Sequence, residues 1–274
     1  MKFPIAFQLY TVRDDMEKDF EGVLKKVKGL GYDGVEFAGL YDKDPQYIKG
    51  LLKENGLEAV SAHVPYEHLM ADTDGTLKAY ADVGCKYVAI PYLQEDDRPG
   101  GAKFDETIAN LKMIGLKAKD LGMTLLYHNH DFEFEKIGDE YGLDVLYKEV
   151  PADILEVEPD TCWIKIAGED PPSYIRKYKG RVPVVHLKDY HLPGDKPLKL
   201  YDLMGMMMDE TMDDSEKFDF RAVGYGMQDF PPILEAAADV GAKWVVVEQD
   251  MPSRGSTAFE CAEKSINYLK SIMK

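Results

Sequence analysis

Residues 234–250 read LEAAADVGAKWVVVEQD, and this stretch contains the unit from which the whole chain is built. A segment of helical character ends at Gly241, because glycine readily adopts the left-handed turn that closes a helix. A run of valines follows, typical of a buried strand, and ends in Glu248 and Asp250. The pattern predicts a helix, a tight turn and a strand whose carboxyl end carries ionisable side chains.

The same unit recurs along the chain, with short apolar runs separated by longer stretches of helical periodicity. The predicted strands are Ile5–Tyr10, Gly34–Phe37, Ala59–Val64, Tyr87–Pro91, Thr124–His128, Ile154–Glu158, Val182–Leu187 and Val245–Glu248. Strands joined through helices must be parallel, because a parallel pair needs a long crossover. We therefore predict an α/β fold, a single-domain (β/α)8 TIM barrel over residues 1–274. A doubly wound open sheet is the alternative, but the glycine-rich phosphate turn typical of it is absent after the first strand.

Composition excludes several classes of function. Fifty acidic residues against 33 basic ones give a net charge of −17, which argues against nucleic acid as a partner. No run reaches the roughly 18 consecutive apolar residues of a membrane helix, so no membrane partner is expected. The acidic start is unlike a signal peptide, and three widely spaced cysteines indicate a reducing compartment. We expect a cytoplasmic protein, with a homo-oligomer left open.

One segment interrupts the regular alternation. Residues from about 190 to 221 form a long insertion after the seventh strand, acidic and rich in methionine. Long loops within a compact domain are usually functional lids or disordered segments. Methionine is frequent at adaptable binding surfaces and also fills irregular gaps. The sequence therefore predicts an insertion within the barrel and leaves open a lid, an interface and a solvated loop.

Ionisable side chains gather where the last four predicted strands end. They are His128 and His130, Glu158 and Asp160, His186 and Lys188, and Glu248 and Asp250. In a barrel all strand carboxyl ends meet at one mouth, where active sites are built. Buried charges are costly unless they are paired, hydrogen-bonded or bound to a metal. The converging ends predict a site, and Glu36 and His63 on earlier strands are candidate substrate contacts.

Several of these side chains also have simpler explanations. The two histidines of the fifth strand end could bond to the backbone, Asp160 could cap a helix, and Lys188 could lie on the surface over the rim. Glu248 is harder to explain in this way, because it follows three valines at the end of a buried strand. Carboxylates and imidazoles together suit one divalent ion, such as Mn²⁺, Mg²⁺, Zn²⁺, Co²⁺ or Fe²⁺. Such an ion would polarise a carbonyl and acidify the adjacent C–H, so that a nearby carboxylate could move the proton.

The motifs resemble those of the xylose isomerase-like barrel superfamily, often called sugar phosphate isomerases/epimerases. They are QLYTVRD at 8–14, GYDGVEF at 31–37, YHNHDFEF at 127–134, DTCW at 160–163, VVHLKD at 184–189 and VEQD at 247–250. The match spans nearly the whole chain. The resemblance implies a TIM barrel with a single divalent metal, held by a carboxylate on strand five and by Asp160, His186 and Glu248.

The fifth strand departs from the family pattern, because His128 stands where isomerases and epimerases carry the glutamate. Either His128 takes the ligand position, or His130 or Glu133 reaches into the site. The missing glutamate argues against a symmetric two-base epimerase mechanism. Lys188 is a candidate to supply the missing acid or to stabilise an enolate. The catalytic candidates are thus Glu248, His128 and Lys188.

The leading hypothesis is a metal-dependent isomerase or epimerase that moves a proton next to the carbonyl of a sugar, keto-sugar or cyclitol. The alternative is a dehydratase or lyase, because His128 and His130 resemble the paired histidines of the superfamily's inosose dehydratases. A third hypothesis is a non-catalytic barrel subunit that binds a sugar or a partner. Trp163 would offer a flat surface to a sugar ring, and it stands where the superfamily's abasic-site endonucleases have a histidine, which argues against DNA repair.

Overall fold

Eight short strands form the centre of the structure, a computed structural model that describes residues 2–192 and 217–273. They are β1 (Ile5–Gln8), β2 (Gly34–Phe37), β3 (Glu58–Ala62), β4 (Tyr87–Ile90), β5 (Thr124–His128), β6 (Leu155–Glu158), β7 (Val184–Leu187) and β8 (Trp244–Val247). Each predicted strand is present, with ends that differ from the prediction by at most two residues.

The strands pair in parallel and close into a ring. One sheet has the order β3-β2-β1-β8-β7, and a second has the order β4-β5-β6. Two bridges join these sheets, His63 with Ala89 on one side and Asp160 with His186 on the other. Neighbours in the ring are therefore neighbours in the chain, except that β8 returns to β1. The predicted (β/α)8 barrel is confirmed.

The helices of the described residues occupy the connections between strands. They are α1 (Arg13–Lys18), α2 (Phe20–Leu30), α3 (Pro45–Asn55), α4 (Tyr66–Ala71), α5 (Thr73–Val83), α6 (Phe104–Asp120), α7 (Gly142–Glu149), α8 (Thr161–Ile166), α9 (Pro171–Lys177), α10 (Phe230–Val240) and α11 (Ala258–Ile272). Gly241, with φ of 84°, ends α10 in the left-handed conformation that the sequence predicts. Among the described helices, none combines the length and apolarity that a bilayer crossing requires.

The interior of the barrel changes from apolar to polar toward its mouth. One inward side chain from each of six strands forms an apolar layer, comprising Ala6, Val60, Ala89, Leu126, Val184 and Val246. Side chains on a strand alternate between its two faces, so the residue two positions later also points inward. Four of those six later positions hold buried polar side chains, namely Gln8, His128, His186 and Glu248. The apolar layer thus forms the floor of a polar cavity at the carboxyl ends of the strands.

The predicted insertion leaves and rejoins the barrel through a two-stranded ribbon. Asp189–His191 pairs antiparallel with Asp219–Arg221, just beyond β7. The Asp189 carboxylate accepts backbone N–H bonds from Gly224, Gly226 and Gln228, at 2.8–3.1 Å. These bonds fasten the returning chain to the end of β7. Residues 193–216 lie outside the described part, so the roles of lid and interface stay predictions.

The packing of α6 on the barrel allows no side chain at Gly115. A Cβ there would lie 2.5 Å from both Cγ2 and the carbonyl oxygen of Ile154. Because backbone must then shift, we expect Gly115→Ala to lower the free energy of unfolding by about 1–3 kcal/mol. The control Gly29→Ala on α2 would meet no atom within 4 Å. It should raise stability by roughly 0.5–1 kcal/mol in urea unfolding; equal stabilities of the two variants would contradict this packing.

Candidate active site

Each of the last four strands presents two ionisable side chains to the barrel mouth. The alternation of side chains along a strand places them in two tiers. The lower tier comprises His128, Glu158, His186 and Glu248, and the upper tier comprises His130, Asp160, Lys188 and Asp250. Six of the eight are buried, His130 is partly exposed, and the Asp250 side chain is 27% exposed. The barrel therefore gathers eight ionisable groups into one small volume.

Glu36 and His63 lie behind the lower tier and beside its member Glu158, and we call Glu36, His63 and Glu158 the back cluster. His63 Nε2 lies 2.9 Å from Glu158 Oε1 and 3.2 Å from Glu36 Oε1. His186 Nε2 lies 2.5 Å from Glu158 Oε1 and 2.7 Å from Glu36 Oε1. Neither contact of His186 is aligned as a hydrogen bond, although both are short. Burial opposes a charge on His186, but Glu36 and Glu158 outweigh it and raise its pKa well above the ordinary value.

The back cluster is fixed from the far side by neutral polar groups. Gln8 Nε2 donates to Glu36 Oε1 at 2.6 Å, and the Ser61 hydroxyl donates to Glu36 Oε2. Both Gln8 and Ser61 are fully buried. Glu36 therefore has both oxygens engaged within the barrel wall.

Four side chains face one another across the mouth, and we call His128, Asp160, His186 and Glu248 the front cluster. One donor atom from each lies within 4.8 Å of the other three. His186 Nδ1 is 3.2 Å from Glu248 Oε2, and His128 Nε2 is 3.8 Å from Asp160 Oδ2. These are the four residues that the sequence suggested as metal ligands, with His128 in the open fourth position.

Asp160 serves two purposes at once. Its Oδ1 accepts the backbone N–H groups of Cys162 and Trp163, at 2.7 and 3.0 Å, and so caps α8. Its Oδ2 is buried in the front cluster with no hydrogen-bond partner. The helix cap and the site residue are thus the same side chain.

Lys188 lies inside the site and not over the rim, with a side chain only 1% exposed. Its Nζ is 2.8 Å from Asp250 Oδ1, 3.2 Å from Glu248 Oε2 and 3.7 Å from Asp160 Oδ2. Burial opposes the ammonium charge, but these three carboxylates outweigh it and hold the lysine pKa well above its usual range. A protonated amine therefore borders the front cluster.

An aromatic wall stands beside Lys188. His130 stacks on Phe132, with ring centroids 5.3 Å apart, and lies 5.4 Å from the ring of Trp163. Burial lowers the pKa of His130 well below its ordinary value, so the imidazole is neutral. His130 Nδ1 and Trp163 Nε1 are both buried without a hydrogen-bond partner. These two atoms are free to bond a ligand.

Glu133, the alternative ligand from the fifth strand end, is engaged elsewhere. Its Oε1 accepts from the Tyr127 hydroxyl at 2.7 Å, and its Oε2 accepts from the His130 backbone N–H at 2.8 Å. Burial raises the pKa of Glu133 to about 7. The structure therefore places Glu133 in the turn that carries His130, while Glu36 and His63 lie behind the front cluster.

Sequence reasoning noted Glu158 at the sixth strand end but assigned it no role. The available signal was its position two residues before Asp160, on the same inward face. The clusters and Lys188 hold five carboxylates close together, and these outnumber the cationic groups among them, Lys188 and the two imidazoles of raised pKa, His63 and His186. Such an excess is costly in a buried site unless a cation joins it. Together with the unpartnered Asp160 Oδ2, this shows that the front cluster suits a divalent cation.

Comparisons with known proteins agree with this architecture. The family described as xylose isomerase-like TIM barrel matches residues 24–272. The inosose dehydratase of Lacticaseibacillus casei is 26% identical over 297 aligned positions, which cover 95% of this chain and 93% of that protein. A sugar phosphate isomerase/epimerase from Parabacteroides distasonis has a solved structure with a TM-score of 0.75 at 22% identity, covering 100% of this chain and 96% of that one. The IOLI protein, crystallised with a zinc atom, has a TM-score of 0.69 at 14% identity, covering 99% and 98%.

Proposed function

This chain belongs to the xylose isomerase-like TIM barrel family, and from that membership we propose that it is a metal-dependent lyase that dehydrates an inosose or a related keto-sugar. The observation that carries the proposal is the front cluster, bordered by the protonated Lys188 and the neutral His130. The relative named inosose dehydratase favours elimination over the isomerase or epimerase hypothesis. His128 also favours elimination, because it stands on the fifth strand where an epimerase has its second carboxylate base.

The front cluster would hold the metal through His128, Asp160, His186 and Glu248. Carboxylate and imidazole donors without thiolates fit Mn²⁺, Co²⁺, Fe²⁺ or Zn²⁺, and the crystallisation of the similar IOLI protein with a zinc atom supports this proposal. When bound, the ion would supply a Lewis acid that polarises the substrate carbonyl.

Two side chains of the protein would then carry out the proton transfer and stabilise the resulting charge. His130, neutral and with a free Nδ1, takes the proton from the carbon next to the carbonyl, and the C–H electron pair forms an enolate. The ammonium of Lys188 stabilises the negative charge of that enolate. The enolate expels the β-hydroxyl group, which leaves as water with the proton held by His130. The product is an unsaturated ketone, and the imidazole is neutral again.

The aromatic wall would hold the ring of the substrate. Trp163 and His130 present two free polar atoms beside flat apolar surfaces, a combination that suits a polyol with one carbon-rich face. Glu133 would contribute indirectly, because it fixes the turn that carries His130.

Metal content tests the ligand assignment. We expect one divalent ion per chain in the purified protein, and Glu248→Gln and His186→Ala should each lose most of it, because each removes a charged or imidazole donor. The control is Glu156→Gln, which makes the same glutamate-to-glutamine change on β6 at a position outside the front cluster. Elemental analysis measures the metal content of the wild type and the three variants. Full metal content in both Glu248→Gln and His186→Ala would contradict the ligand assignment.

Product absorbance tests the reaction. Incubation with an inosose should produce a new ultraviolet band from the conjugated ketone. Lys188→Met should lower kcat by about 10²–10³-fold, because the enolate loses its neighbouring cation. Lys165→Met, which removes an exposed lysine of α8, should match the wild type. A changed sugar without a new band would instead restore the isomerase hypothesis.

A further inference from the structure

We propose that Glu158, supported by Glu36 and His63, is a positioning residue that determines which ring nitrogen of His128 and of His186 faces the front cluster. The inference deepens the proposed function and rests on it, since the front cluster is taken as the metal site. In this proposal Glu36 and His63 act behind the ligands, and not as the substrate contacts that the sequence suggested.

The two rings separate the back cluster from the front cluster. His186 directs Nδ1 toward Glu248, at 3.2 Å, and Nε2 toward Glu158 and Glu36, at 2.5 and 2.7 Å. His128 directs Nε2 toward Asp160, at 3.8 Å, and Nδ1 toward Glu158, at 3.7 Å. Each imidazole therefore has one nitrogen on either side, and Glu158 Oε1 is the group that both rings share.

The chemistry of imidazole determines which nitrogen of each ring can bind a metal. A histidine that binds a metal offers the lone pair of one nitrogen and keeps a single N–H on the other. That N–H is normally held by a carboxylate or a carbonyl, which fixes the ring and its tautomer. Glu158 is the carboxylate on the back side of both rings. It would hold both N–H groups, so that His128 Nε2 and His186 Nδ1 present their lone pairs to the front cluster.

The distances argue against a second ion in the back cluster. Two ligands bound to one ion at about 2.1 Å in a tetrahedral arrangement lie about 3.4 Å apart. The contacts of Glu36 and Glu158 with His63 Nε2 and His186 Nε2 are all 2.5–3.2 Å, shorter than that separation. The measured front-cluster contacts are 3.2 and 3.8 Å, which leave room for an ion.

The binding of Co²⁺ to metal-free protein tests the proposal, because its affinity and its visible spectrum both report the ligands. Glu158→Gln keeps the shape of the side chain but removes the charge. We expect it to weaken Co²⁺ binding about 10–100-fold, measured by competition with a chelator, and to change the visible spectrum. The control Glu156→Gln lies on the same strand and the same inward face, two residues earlier, and should match the wild type in both measurements.

A second variant changes a carboxylate that contacts only one of the two ligand rings, that of His186. Glu36 approaches His186 and His63, so Glu36→Gln should weaken Co²⁺ binding less than Glu158→Gln does. If Glu158→Gln does not fold, the Glu36→Gln variant alone tests the proposal. Wild-type Co²⁺ affinity in Glu36→Gln would then overturn it. Circular dichroism and thermal unfolding of the metal-free proteins identify any variant that does not fold.

The possible outcomes separate the two proposals. Wild-type affinity and spectrum in Glu158→Gln refute the positioning role and leave the proposed function standing, provided that the wild type binds Co²⁺ and turns over. If the wild type binds no Co²⁺, both proposals are wrong. Two Co²⁺ ions per wild-type chain, one of them lost in Glu158→Gln, would make Glu158 a ligand and would also overturn the positioning role.

Discussion

Confinement of negative charge at one end of a closed barrel is the constraint on which the site depends. Parallel strands all end at the same mouth, and here those ends carry carboxylates that the barrel wall and the helices remove from water. The ammonium of Lys188 and the imidazoles of His63, His128 and His186 lie among these carboxylates as counter-charges or proton donors. The apolar layer one step below separates this polar volume from the rest of the core. A site of this kind is stable only with cations and shared protons in defined places.

The fold could be predicted from sequence because its signals are local and repeated. A glycine that ends a helix, an apolar run and a polar strand end recur often enough that closure of the barrel follows from the count of units. The converging strand ends could be predicted for the same reason. Residues 193–216 show the limit of this approach: their composition indicated an insertion, but composition carries no information on where such a segment packs.

Other features of the site depended on three-dimensional relations that no local pattern contains. Whether Lys188 extends into the mouth or over the rim depends on the direction of a long flexible side chain. Glu158 and Asp160 are both inward-facing carboxylates, but one lies behind the histidine rings and the other in front of them. Asp160 is both a helix cap and a site residue, so these explanations were never exclusive. The choice between isomerase and dehydratase was open for a chemical reason, since both begin with removal of a proton next to a carbonyl.

The ribbon beyond β7 has an evolutionary consequence. Asp189–His191 and Asp219–Arg221 lie side by side, and the Asp189 carboxylate clamps the backbone of the returning chain. The two ends of the intervening segment are therefore held together whatever the length of the chain between them. Such an anchorage allows insertions and deletions to accumulate there while the strands that carry the candidate site stay unchanged. Relatives with one barrel could in this way diverge in the molecules that they admit, and a graft of a foreign segment between the same two anchors is a natural starting point for engineering.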